Sequence, residues 1–271
     1  MTDLIDVQAL SEQRGNPKLV LLDVRFTPGK SDGKDRYLAG HIPGAQYLDL
    51  PSQLADPHLQ GYGSNPLPTE DQLQLTIQQL GIDFDSEIVI YDDTNLAPSA
   101  RAWWVLRWAG LTRVKVLDGG LAAWKRAGEP LTFDEVSPSV ASDVVISVGS
   151  LPQLAIEEVL GAPSQGALLD LRPAVNFSFN SEGKGGHIPG AISFPGSELL
   201  DTQGYLLDAD AIHARLESAG VDTHRPIAAY CGSGVAASLL IFAAHITGLH
   251  ATIYPGSWSH WSSDPNRPVE G

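Results

Sequence analysis

"GHIPGA" occupies residues 40–45 and returns letter for letter at residues 186–191. Other stretches recur around it in the same order. "LLDVR" (21–25) comes back as "LLDLR" (168–172), "IVIYDD" (88–93) as "IAAYCG" (227–232), and "VLDGGLAAW" (116–124) as "IYPGSWSHW" (253–261). Paired positions lie 147 residues apart at Leu21 and Leu168 but 137 apart at Trp124 and Trp261, the drift expected when loops are trimmed in one copy of a duplicated unit. The reading is two tandem domains, 1–130 and 147–271, joined by a linker over about 131–146. There "LTFDEVSPSVASDVV" carries Ser, Pro and acidic residues without a sustained apolar period.

Within each copy, short apolar runs ("LVLLDV", "EIVIYD", "ALLDL", "PIAAYC") read as strands buried on both faces. Helical segments separate them. "TEDQLQLTIQQLG" has Thr69 as N-cap and Gly81 as stop, and "DADAIHARLESAG" has Asp208 and Gly220 in the same places. "RAWWVLRWAG" (101–110) is expected to be an amphipathic helix whose tryptophans fill a domain interface, with Trp124 and Trp261 as packing residues. Strand and helix in alternation predict an α/β fold, each domain a mostly parallel sheet with helices on both faces.

Composition narrows the chemistry. A formal net charge of −15 should repel nucleic acid and anionic lipid, and no segment approaches the roughly 20 apolar residues of a membrane span. No basic region followed by an apolar stretch opens the chain, so a soluble, cytoplasmic protein is expected, with neither nucleic acid nor membrane as partner. The single cysteine, Cys231, precludes an internal disulfide, and no Cys pair or closely spaced His pair suggests a metal.

Cys231 follows the strand "PIAAY" and precedes "VAASLLIFAAHITG", an apolar segment expected to be a buried helix ending near Gly248. The thiol then stands at the carboxyl edge of the sheet and at a helix N-terminus, where ligands and anions are held. A cysteine serving only as a small hydrophobe needs no bare backbone after it. Gly232, Ser233 and Gly234, with Val235 and Ala236 next, leave several main-chain N–H groups free to curl around one sulfur, and such a nest favours its anionic form. The equivalent position in the first copy is Asp92, which cannot be a sulfur nucleophile, so one copy reads as chemical and the other as structural. A cysteine phosphatase needs an arginine six residues after the nucleophile, where this chain has Ala237. Eight histidines offer candidate bases for a cysteine protease but no recognisable signature.

The duplicated "GHIPGA", the strand followed by "CGSGVAAS", the copy-ending "DGGLAAW" and "GSWSHW", and the aspartate at the first copy's cysteine position together resemble the tandem-domain rhodanese sulfurtransferases over nearly the whole chain. "CGSGV" is similar to the loop of the 3-mercaptopyruvate branch of that family. The resemblance implies that Cys231 takes a sulfur atom from 3-mercaptopyruvate or thiosulfate as a persulfide and passes it to a thiol, that of a thioredoxin-like reductant included, or to cyanide. No cofactor is implied. Gly232, Gly234, Val235 and Ala236 would supply main-chain donors, Ser233 a hydroxyl near the reacting sulfur, and Trp258 an apolar wall. An arginine that binds the donor carboxylate in such enzymes aligns with Asn176 here. Lys184 is the nearest remaining cation, while Arg172 is expected to tie the strand end to other loops. His187 recurs as His41, which points to turn architecture, although His41 could line the crevice between domains. The alternative function is a persulfide carrier loaded and unloaded only by other proteins.

Overall fold

The computed structural model describes residues 3–136, 142–179 and 185–271. They condense into two compact units. The first holds the described residues up to Asp56 with those of Leu67–Leu151 and Thr202–Tyr205; the second holds Pro57–Pro66, the described residues of Pro152–Asp201, and Leu206–Gly271.

The first unit is built on a parallel five-stranded sheet of β1 (Leu4–Ile5), β2 (Leu19–Asp23), β3 (Ala45–Tyr47), β4 (Glu87–Tyr91) and β5 (Val114–Leu117), in the order β1-β5-β4-β2-β3. Its helices are α1 (Val7–Gln13), α2 (Gly33–Leu38), α3 (Leu50–Gln53), α4 (Glu70–Gln79), α5 (Ala97–Trp108) and α6 (Gly120–Arg126). The central strands β2 and β4 read as unbroken apolar runs because both faces are covered. One face packs Leu10, Leu21, Val89, Leu117 and Trp124 together. Thr69 caps α4 in a reciprocal capping box with Gln72, and Gly81 follows with φ +67°. α5 departs from the amphipathic expectation: every residue from Ala97 to Leu106, and Trp108, is buried, so the helix is enclosed on all sides. Of the stretch whose composition suggests a linker, the described parts are fastened to this unit. Thr132 exchanges two backbone hydrogen bonds with His41, and Val144 O accepts from the side chains of Gln74 and Gln78.

The second unit repeats the plan with four parallel strands, β6 (Ala167–Asp170), β7 (Ile192–Ser193), β8 (Ile227–Tyr230) and β9 (Ala251–Ile253), in the order β7-β6-β8-β9. Helices α7 (Ala162–Gln165), α8 (Ala209–Ser218), α9 (Ala236–Thr247) and α10 (Ser257–Trp261) accompany them. Leu168, Ile188, Ala228, Tyr230 and Trp261 form its core cluster. α9 is the expected buried helix and ends on Gly248 at φ +77°. No helix among the described residues is long and apolar enough to cross a membrane.

Each unit also takes in a short ribbon from the other copy's stretch of chain. In the second unit, Ser64 N–H donates to Ser259 Oγ at 2.9 Å and the Tyr62 ring lies 5.4 Å from that of His260. In the first, Tyr205 rests on Gly119 so closely that a Cβ there would come within 2.7 Å of the ring, and Arg126 lies 4.8 Å from the ring centre. The ribbons share a signature, "QGY", at 60–62 and 203–205.

Candidate active site

Parallel pairing aligns Asp170 with Tyr230 and Ala229 with Ile253, so β6, β8 and β9 end together. Residues just past those ends, Arg172, Cys231 and Ser257, therefore collect at one edge of the sheet, the edge at which open α/β sheets hold ligands. Cys231 is only 2 % exposed, yet its surroundings are polar: Gly234 N–H donates to Sγ at 3.2 Å and Ser257 Oγ lies 3.9 Å away. Gly234 turns the loop with φ +80°. Among the described residues, the amides of Gly232, Ser233, Val235 and Ala236 donate to no protein acceptor. Gly232 and Ser233 are half-buried, which leaves this set of donors open to an incoming anion.

Ser257 is the residue that inspection of the sequence missed. It sits at φ +55°, one of two non-glycine residues with positive φ among the described residues, in a conformation that costs an L-residue on the order of 1 kcal/mol. Its hydroxyl accepts from Cys231 N–H at 3.1 Å and donates to Tyr254 O at 3.0 Å. The first copy has Gly120 at the equivalent place with φ +54°. A side chain has thus been kept where the backbone asks for glycine, and its oxygen faces the cysteine. Comparison of "DGGLAAW" with "PGSWSHW" held that signal.

The loop is anchored from α10. Trp258 N–H donates to Cys231 O and Ser259 N–H to Gly232 O, both at 2.9 Å. Behind them, Tyr254 OH meets His260 Nδ1 at 3.0 Å, and burial together with the Arg267 charge holds the imidazole below its ordinary pKa. The β6 end is locked by Arg172, whose Nε and Nη2 grip Asp170 while Nη2 also donates to Gly186 O at 2.6 Å. Tyr230 OH donates to Asp170 Oδ2 and accepts from Ile188 N–H. The guanidinium of Arg172 lies 4.4 Å from the ring centre of Trp258.

Of the residues expected at the site, Cys231, Gly232, Ser233, Gly234, Val235, Ala236 and Trp258 come together here. Asn176 stands exposed on a 3₁₀ turn, Ala174–Asn176. Lys184 lies outside the described residues. His41 is corrected: it is fully buried in the first unit, stacked 3.8 Å from Tyr37, with Nδ1 on Tyr37 O and Nε2 on Asp134 O. A ring so enclosed has no face to offer a ligand. His187 plays the same turn role, with Nδ1 at Phe177 O and its ring stacked 3.6 Å from Phe177. Asp92 replaces the sulfur by a buried carboxylate that accepts from Thr94 N–H and Oγ and from Ser99 N–H and Oγ. Desolvation raises its pKa against those four donors. The amides left open around Cys231 are here partly consumed by a side chain.

Comparison with known proteins agrees with this geometry. The model of the rhodanese-like domain matches twice, at residues 6–127 and 155–264. A Mycobacterium tuberculosis protein provisionally named a thiosulfate sulfurtransferase, SseB, is 40% identical over 262 residues, 95% of this chain and 92% of that one. A Pseudomonas aeruginosa protein named a probable 3-mercaptopyruvate sulfurtransferase is 38% identical over 278 residues, 98% and 97% of the two chains. Among solved structures, SseA of Escherichia coli, described as a rhodanese-fold 3-mercaptopyruvate sulfotransferase, superposes with a TM-score of 0.86 at 31% identity over 96% of this chain and 100% of that one. Two matched repeats, near full-length relatives and a cysteine set in a backbone nest lead to one conclusion: the chain belongs to the rhodanese-like family, among its two-repeat sulfurtransferases.

Proposed function

We propose that Cys231 carries a sulfane sulfur from 3-mercaptopyruvate or thiosulfate to a thiol or cyanide. The observation that carries this reading is the Cys231 sulfur, met by the Gly234 amide at 3.2 Å and followed by four amides without acceptors among the described residues. The thiolate attacks the donor's outer sulfur, forming an S–S bond. With mercaptopyruvate the C–S bond breaks and its electron pair leaves on carbon as the enolate of pyruvate, which then takes up a proton. With thiosulfate the S–S bond breaks and the pair leaves on sulfite. The terminal sulfur of the persulfide is anionic, and the open amides of Gly232, Ser233, Val235 and Ala236 stabilise it without reorganising. Ser233, half-buried and without a hydrogen-bond partner for its hydroxyl among the described residues, relays the proton to the enolate. An acceptor thiolate, that of a thioredoxin-like reductant included, or cyanide attacks the terminal sulfur and restores the Cys231 thiolate.

Labour is divided between the copies: the first, with Asp92 at the cysteine position, is non-catalytic, and the second carries the chemistry. Intact-mass measurement after exposure to each donor separately tests the reading. A gain of about 32 mass units, one sulfur, is expected with a productive donor and none in Cys231→Ser. A wild-type protein that gains no mass from either donor overturns it.

A further inference from the structure

The two copies contain the same buried Asp–Arg–Tyr cluster, and the first serves as an internal reference for the second. In the first unit all of the Arg25 guanidinium is committed. Nε and Nη2 hold Asp23, Nη2 also donates to Gly40 O at 2.7 Å, and Nη1 donates to Arg36 O and lies 3.7 Å from Asp93 Oδ2. Arg25 thus faces two carboxylates. In the second unit Arg172 makes the equivalent bonds through Nε and Nη2, but Nη1 has no hydrogen-bond partner among the described residues and is not among the buried polar atoms left without one. The residue equivalent to Asp93 is Gly232, directly after the cysteine. One carboxylate has been removed from the neighbourhood of a conserved-geometry cation, at the position next to the nucleophile.

Trp258 links the two groups. Its ring lies against the Arg172 guanidinium at 4.4 Å, while its own N–H holds Cys231 O at 2.9 Å. The ring screens the cation from water on one side and strengthens its pull on an anion on the other. Both donor types are anionic, and the molecule carries a formal net charge of −15, so a local positive edge is needed to bring either one to the sulfur. Asn176 cannot supply it, being uncharged.

We propose that the free Nη1 edge of Arg172, stacked on Trp258 and counterpart of the Arg25 edge that faces Asp93 where the second copy has Gly232, binds the anionic end of the sulfur donor, a carboxylate or sulfonate oxygen, and so sets which donors are accepted. The inference rests on the sulfurtransferase reading and adds to it the group that recognises donor charge.

The test restores in the second unit the carboxylate that the first unit has. A Cβ at Gly232 would meet no heavy atom within 4 Å, so Gly232→Asp fits sterically, and Gly232→Asn is its uncharged match. In steady-state assays of the full chain, Gly232→Asp is expected to raise KM for mercaptopyruvate or thiosulfate about tenfold more than its uncharged match Gly232→Asn does, the loss of one charge-assisted hydrogen bond. A second measurement needs no sulfur donor. The ratio of Cys231 alkylation rates with iodoacetate and iodoacetamide, alike in reach but different in charge, should fall about tenfold in Gly232→Asp by the same reasoning. It should fall also in Arg172→Lys, while Arg25→Lys, the equivalent change in the first unit, leaves it unchanged. Equal effects of Gly232→Asp and Gly232→Asn, or an alkylation ratio indifferent to Gly232→Asp, would overturn the proposal, whether or not Arg172→Lys folds. Failure of the wild type to gain sulfur mass would instead remove the sulfurtransferase reading while leaving the alkylation ratio to report on the anion site.

Discussion

Ser257 shows how much a single residue can be asked to do against its own preference. Its backbone occupies the left-handed region that Gly120 occupies in the first copy, and its hydroxyl bridges Cys231 N–H and Tyr254 O. Two substitutions separate strain from chemistry. Ser257→Gly relieves the left-handed cost of about 1 kcal/mol while giving up a buried hydrogen bond of similar worth, so its urea midpoint should stay near wild type. Ser257→Ala keeps the strain and loses the bond, so it should unfold earlier by about 1 kcal/mol. Both should transfer sulfur more slowly, because neither holds the cysteine backbone from that side. A Ser257→Gly protein with undiminished turnover would show that the hydroxyl serves only the fold. The letter S in "PGSW" gives no hint of this conformation; only its alignment with a glycine does. The cysteine is different: Gly-Ser-Gly after a strand announces its bare backbone in the sequence itself.

At the scale of elements, α10 joins the site to a titratable group. His260 is pushed below its ordinary pKa by burial first and by the Arg267 charge second, with Glu157 opposing, and Nδ1 lies 3.0 Å from Tyr254 OH. A protonated ring can only donate in that contact. The unfolded chain takes up this proton at about pH 6.5, before the folded one does, so stability is complete above that value. It falls as pH drops toward the lower folded value and then levels. Urea midpoints recorded from pH 7.5 to 5.5 should decline more in the wild type than in His260→Gln, and parallel declines would show that His260 contributes nothing. Elements themselves were the most legible part of the sequence. The Thr69 and Asp208 caps, the stops at Gly81, Gly220 and Gly248, and the apolar strands of a doubly covered sheet all follow from local chemistry. α5 was less so, since tryptophans beside arginines suggest one wet face, whereas Arg101 is buried with the rest.

For the whole molecule, four ordered repeats, one of them an exact hexapeptide, established two copies, and alternating strands and helices made each of them α/β, because parallel sheets need the same buried strand ends and the same tight turn each time. The positive edge of Arg172 stayed hidden for the opposite reason. "LLDxR" is identical in kind in both copies, and only the neighbours Asp93 and Gly232 tell a fully committed guanidinium from a half-committed one. The paired "QGY" ribbons were hidden too, as nothing in a sequence says to which sheet a surface loop belongs.

Those ribbons bear on what happens if the polypeptide is severed. Residues 57–66 belong structurally to the unit made mostly of residues after 151, and 202–205 to the unit made mostly of residues before it. Fragments 1–136 and 142–271, expressed apart, should each be short of a native strip and unfold well below the intact chain's melting temperature, and mixing them should recover part of the loss. Two independent melting transitions at the intact value would refute this. If the strips are needed as described, the ancestral duplication can no longer be reversed by a protease: neither descendant still owns all the parts from which it is made.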